Sequence, residues 1–359
     1  MTETGGNFMI AMMRRLRSGA GGIRFDRTAL SAVALSIVLL YGAALGESFG
    51  WLPNGIWLGE RTAGTGGPTW LAEQRAPRPP KEMRGAAPWL VKPVETTGAL
   101  VDFFRRVDYR LDAVREGDQS VPRVIVDQVP TDLHRLEPAA HRKRVFIKLI
   151  LPLVLFENER ILADRKRLVE LNEDIKRFGR IPDPGDRAWL SRMCERYGLD
   201  VADANALLRR LDVIPPSLAV AQAAEESGWG TSRFVRLGNA VFGQRTFAVG
   251  AGLVPLRRGE NSTYEVRSFG RLLDSVAAYM FNLNSHSAYG RFRRAREHLR
   301  RTRGEIDGHA LASTLDRYSE RRGAYVRAIR AIIFSGGLRE LDRARLRDGR
   351  VVATLKPEA

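Results

Sequence analysis

From Thr97 onward the apolar positions recur mainly with helical spacing. Thr97 to Arg115 is amphipathic, and His141 to Phe178 is a long helical stretch in which Pro152 predicts a kink or break. Gly179 closes that stretch, and Pro182 and Pro184 keep it closed. Its apolar block, Val145 to Phe156, is too short to span a membrane and holds Lys148, so a buried helix is expected there. Two short helices follow, Asp186 to Tyr197 with Asp186 as N-cap, and Asp203 to Leu211. Arg271 to Asn284, Tyr289 to Arg303, His309 to Leu315 and Gly323 to Phe334 return to the helical period. Between them Val241 to Phe269 loses it, gains glycines and Pro255, and includes the β-leaning run Thr263 to Val266. Val121 to Val129 alternates apolar and polar residues and predicts a short extended segment. The pattern predicts a mainly α fold with a small β lobe inserted among the helices.

One helix carries candidate chemistry. Pro215 and Pro216 bar helix before them, and Ser217 is placed to cap the start. From Leu218 to Glu226 every residue except Val220 is a good or fair helix former. Ala219, Gln222, Ala223 and Glu226 share one face, and its small side chains leave room for a ligand to approach Glu226. Glu225 lies about a third of a turn away, toward solvent. Gly228 and Gly230 end the helix around Trp229. A carboxyl packed there against an indole has its pKa raised by burial, which suits a general acid near neutral pH. A solvated Glu-Glu pair at a helix C-terminus, with Trp229 as a core anchor, accounts for the same residues at a small electrostatic penalty.

Glu226-Ser227-Gly228-Trp229-Gly230 resembles the E-S-G-W-G signature of glycoside hydrolase family 73, the bacterial cell-wall N-acetylglucosaminidases. Thr231 to Phe234, Gly238 to Gln244, Gly252 to Pro255, Asp274 to Met280, Asn282 to Tyr289 and Arg322 to Val326 are similar to its Bax-type subgroup, and the resemblance runs from about Thr97 to Phe334. It implies a lysozyme-like glucosaminidase domain over 97–335, acting on peptidoglycan glycan strands at the β-1,4 bond after N-acetylglucosamine, without a cofactor. Glu226 matches the general acid of the motif, and Tyr325 resembles a late tyrosine that lies close to it; a helix-packing tyrosine is the plainer reading of Tyr325. For the second catalytic group Glu265 stands ahead of Glu260, because Tyr264 to Val266 reads as strand. The family's lobe-glutamate pattern is not reproduced, so assistance by the substrate's N-acetyl group stays open. Gln222, Trp229, Asn239, Phe242 and Gln244 are candidate substrate-binding residues, Trp229 more as a structural wall than as a sugar platform. A lytic transglycosylase and a non-catalytic peptidoglycan-binding scaffold are the alternatives.

Composition narrows the rest. With 44% hydrophobic residues, the 359-residue chain supports a real core. A net charge of +17 fits nucleic acid, anionic lipid or an anionic polymer. No helix-turn-helix, zinc finger or RNA-binding strand motif is present, so nucleic acid is not an expected partner. Arg291 to Arg303 spreads its arginines over most faces of a helix and reads as solvated, with a peptidoglycan or membrane contact as the functional alternative. Glu157 and Glu159 read as helix surface, His286 as a capping or hydrogen-bonded histidine before a proton shuttle, and the single Cys194 as a small core residue. One cysteine excludes an intramolecular disulfide and a cysteine metal cluster, and the five histidines form no H-E-x-x-H. Ser227 lacks a G-x-S-x-G elbow, and no phosphate-binding glycine pattern appears. Upstream, 28–46 contains no charged residue and follows Arg14, Arg15, Arg17, Arg24 and Arg27. That predicts a transmembrane signal-anchor with residues 1–27 cytoplasmic and the domain in the periplasm; a cleaved signal ending at Ala43 to Gly46 is the rival. Residues 47–96 read as a Gly/Pro-rich linker and 336–359 as a basic C-terminal tail.

Overall fold

The computed structural model describes residues 91–93, 96–200, 203–256, 263–349 and 353–356. The expected anchor at 28–46, nearly all of the linker, and Glu260 lie outside these residues. Among the described residues, no helix is long and apolar enough to cross a membrane.

The fold is mainly helical. Helices α1 (Thr97–Arg106) and α2 (Leu111–Glu116) lead through strand β2 (Val124–Val126) to α3 (Ala139–Phe178), with β1 (Val91–Pro93) ahead of them. α3 runs unbroken through Pro152 for 40 residues, so the expected kink does not interrupt it. Proline removes one helical hydrogen bond, but every residue from Leu149 to Asn158 is buried, and packing on all sides holds the helix across the gap. Glu157, expected on the surface, is inside this block; burial raises its pKa against the opposing pull of Arg160 and Arg196. Glu159 forms the expected surface contact, a two-pronged pair with Arg123.

Helix α4 (Pro184–Tyr197) is capped by Asp183, whose side chain accepts from the Asp186 N–H, so the cap sits three residues before the expected one. Cys194 is buried in the small core between α4, the C-terminal half of α3 and α5 (Ala204–Arg210). α6 (Pro216–Ser227) and α7 (Arg233–Gly238) come next, then the β lobe. There β3 (Arg245–Thr246), β4 (Gly252–Leu253) and β5 (Glu265–Arg267) form an antiparallel sheet in the order β3-β5-β4. Helices α8 (Leu272–Ser285), α9 (Gly290–Arg303), α10 (Gly308–Ala312) and α11 (Gly323–Ser335) complete the helical body.

The residues after 335 are not a separate tail. Leu338, Leu341 and Leu346 are buried in the main core, and β6 (Ala353–Lys356) lies between β1 and β2 as the middle strand of a second, parallel sheet.

The arginine-rich helix α9 also differs from its sequence reading. Arg293 and Arg296 are buried. The Arg296 guanidinium donates to the carbonyls of Arg209, Asp212 and Val213 and to Asn284 Oδ1. Arg300 pairs with Asp212 through two nitrogens. Burial raises the Asp212 pKa, but Arg296 and Arg300 outweigh it and hold it below the usual carboxylate range. Arg296 thus supplies donors for loop carbonyls that have no strand partner, and Arg300 holds the Asp212 side chain. That loop leads directly into α6.

Candidate active site

Helix α6 is held at both ends. Ahead of it, Asn158 on α3 pairs with Ile214 like a strand neighbour, donating to its carbonyl at 2.8 Å and accepting from its N–H at 3.0 Å. Pro215 occupies the cap and Pro216 the first turn. Ser217 is not the cap: its N–H and hydroxyl both donate to the Asp342 carboxylate, which also accepts from the Gly308 N–H. Burial pushes the Asp342 pKa up to about 6 in spite of these donors.

At the other end Gly228, Trp229 and Gly230 are all left-handed, with φ of 58°, 60° and 79°. Ser227 Oγ accepts from the Gly230 N–H at 2.9 Å and fixes this turn. Glycine is needed at position 230 twice over: for its φ, and because a Cβ there would lie 2.9 Å from Phe146. Trp229 in this conformation is strained. Its half-buried indole meets Phe146 edge to face, with centroids 5.9 Å apart, and Lys143 sits over its ring.

Small residues between these anchors let neighbouring helices close on α6, and Ala219, Gln222, Ala223 and Glu226 are all buried. Glu226 is 5% exposed, and its Oε1 has no hydrogen-bond partner. Burial pushes its pKa up to about 8. The Tyr325 hydroxyl, acting as a donor, and the Arg321 charge pull the other way, while Glu225 adds to the rise. Glu225 itself is turned outward and paired with Arg321. Glu226 is therefore a protonated acid at neutral pH, with one oxygen uncommitted.

Tyr325 stands beside it on α11, wholly buried and stacked on Tyr318 at 5.3 Å. Gln222, one turn before Glu226, donates through Nε2 to the Tyr325 oxygen at 2.8 Å and accepts through Oε1 from the Tyr279 hydroxyl at 2.7 Å. Gln222 is wholly buried, so its role in the structure is to join these tyrosines. Phe242 lies flat on Tyr279, with centroids 3.8 Å apart, and supports the site from behind. Asn239 closes α7 at φ 52° and donates to the Phe269 carbonyl, tying α7 to the end of the β lobe. Gln244 is buried with its Oε1 unpartnered.

Glu265 has a different setting. Its two oxygens accept from the backbone N–H groups of Gly250 (3.0 Å) and Gly252 (2.8 Å), clipping the turn between β3 and β4. The hydrogen bonds of this carboxylate go to the lobe's own backbone. His286 caps a short 3-10 turn, accepting from the Ala288 N–H through Nδ1.

Sequence reasoning missed Tyr279. That tyrosine lies in the Asp274 to Met280 segment on α8. Val276, Tyr279, Met280 and Leu283 fall at one helical face and are all buried, and a buried tyrosine hydroxyl needs a partner. A pocket of about 580 Å³ lies at the far end of α6 between Pro215, Arg300, Asp307 and Asp342, away from Glu226.

Residues 201–334 match the family model of mannosyl-glycoprotein endo-β-N-acetylglucosaminidase, a span that contains Gln222, Glu226, Tyr279 and Tyr325. The chain is similar to protein bax of Escherichia coli (strain K12), with 32% identity over 200 residues, covering 54% of this chain and 69% of that protein. No solved structure matches it. The shared span places the buried Glu226 and its tyrosines inside the matched region, and the chain belongs to the Bax-type glucosaminidase-like family.

Proposed function

We propose that this protein is an endo-β-N-acetylglucosaminidase of peptidoglycan, cutting the β-1,4 bond after N-acetylglucosamine with Glu226 as general acid on a lysozyme-like scaffold. The observation that carries the reading is the Glu226 carboxyl, 5% exposed and with its pKa pushed up to about 8 by burial, so that it keeps its proton near neutral pH. The glucosaminidase-type match supports a glycan substrate of this class.

Cleavage breaks the C1–O bond of the sugar. The leaving oxygen takes the proton from Glu226, and positive charge develops at C1. In a dry site the acid stays protonated until the leaving oxygen becomes basic, and that matching of pKa is worth about 10² to 10⁴ in rate. Tyr325 steadies the carboxylate left behind, since a hydroxyl donor favours the charged form. Glu265 is committed to two backbone donors, which favours capture of the C1 cation by the substrate's own N-acetyl oxygen over a lobe carboxylate acting as base. Water then opens that intermediate. The enzyme would work in the periplasm, tethered through residues 28–46, on glycan strands within reach of the membrane.

Digestion of purified sacculi tests the reading. New reducing N-acetylglucosamine ends are expected. Anhydro-muramyl ends would make the protein a lytic transglycosylase, and no soluble muropeptides would make it a scaffold.

A further inference from the structure

Three wholly buried side chains from three helices, Tyr279 on α8, Gln222 on α6 and Tyr325 on α11, form a chain of two hydrogen bonds with a fixed direction. The Tyr279 hydroxyl donates to the amide oxygen, and the amide nitrogen donates to the Tyr325 oxygen. An amide oxygen only accepts and an amide nitrogen only donates. The Tyr325 oxygen is thereby used as an acceptor, and its own proton is left to point elsewhere. Gln222 and Glu226 are one turn apart on the same face of α6, so a hydroxyl held by Gln222 faces the carboxyl one turn on.

Turning the Gln222 amide over reverses the chain. Its oxygen would then take the Tyr325 proton, and its nitrogen would press a proton on the Tyr279 oxygen. The Tyr279 proton would lose the acceptor the structure gives it, and a buried donor left without a partner is unfavourable. Tyr325 would offer Glu226 only a lone pair and compete with the substrate for the acid's proton. Phe242, stacked on Tyr279, and Tyr318, stacked on Tyr325, keep both rings from swinging away.

From this geometry we infer that Tyr279, acting through Gln222, sets the polarity of the Tyr325 hydroxyl so that it donates to Glu226 and does not compete with the substrate for the acid's own proton. Tyr279 and Gln222 are positioning residues, and the inference rests on the reading of Glu226 as the general acid. The Tyr279 proton holds the amide, the amide holds Tyr325, and Tyr325 holds the carboxyl. Only in this orientation do the Tyr279 proton and the Tyr325 proton both have an acceptor.

Tyr279→Phe keeps the ring and its stack and removes only the donor. The Gln222 amide is then free to turn and to draw the Tyr325 proton away from Glu226. Losing a donor to its charged form, Glu226 should titrate higher, by about one pH unit, or tenfold in its ionisation constant. The readout is an infrared pH titration of the full chain, following the protonated-carboxyl band that Glu226→Gln abolishes. Tyr325→Phe should raise the midpoint as much, and the double variant no further than Tyr325→Phe alone. A Tyr279→Phe midpoint at the wild-type value, or additive shifts in the double variant, would overturn the inference. Because this readout needs no turnover, it is separate from the acid assignment itself, which fails if Glu226→Gln still releases muropeptides.

Discussion

At the residue scale, the carboxyl that matters is the one that cannot ionise cheaply. The Glu226 pKa is raised from the ordinary carboxylate value of 4.5 to about 8. Below the lower value it is neutral in both folded and unfolded chains. Between the two values the unfolded chain gives up its proton and the folded one does not, so folding loses stability as pH rises through that window and levels off above about 8. Glu226→Gln removes this penalty. Its melting temperature should equal that of the wild type near pH 4, exceed it increasingly up to pH about 8, and then keep a constant lead of a few degrees. A lead independent of pH, followed by thermal melts across the range, would show that Glu226 is not held neutral by burial. Glu265 supplies the contrast, a carboxylate whose two oxygens are spent on backbone N–H groups. Glu265→Gln should keep turnover within about tenfold of wild type and loosen the lobe, seen as faster amide exchange at Gly250 and Gly252. A loss of about 10² to 10⁴ would make it the base after all.

At the element scale the site is one helix pinned at both ends, and only one end was legible in the sequence. The helix period placed Gln222 and Glu226 on a common face and Glu225 off it, and the Gly-Trp-Gly turn declared its own left-handed backbone. The other end depends on Asp342, more than a hundred residues away, accepting from Ser217 and Gly308. No local pattern announces a partner at that separation, so Ser217 read as a cap. The buried arginines of α9 failed for a related reason. Guanidinium groups look solvated in a list of residues, and only the fold shows four carbonyl and amide oxygens waiting for Arg296. Asp342→Ala strands the Ser217 N–H and hydroxyl at the start of α6 and the Gly308 N–H at the start of α10. Each orphaned buried donor costs about 1–3 kcal/mol, so urea unfolding should find at least one such increment missing and activity reduced with it. An unchanged midpoint would remove Asp342 from the supports of the site.

At the scale of the whole molecule, the mainly helical class and the position of the β lobe followed from period and glycine content. The second sheet did not, because β1, β2 and β6 are short and come from distant parts of the chain. The C-terminal residues are part of the same body. A chain ending at Ser335 loses Leu338, Leu341, Asp342 and the middle strand, and should be insoluble or lack a cooperative melt; a soluble, active truncation would return those residues to the status of a tail. The assembly of helices exists, on this account, to hold one protonated carboxyl beside a glycan. The most direct measurement is the release of muropeptides from purified sacculi by wild type, Glu226→Gln and Glu225→Gln, with folding and sacculus binding checked for each. Glu226→Gln should bind and fold normally and lose about two to four orders of magnitude in rate, while Glu225→Gln stays within about tenfold. Near-wild-type release by Glu226→Gln would contradict the assignment and the mechanism built on it.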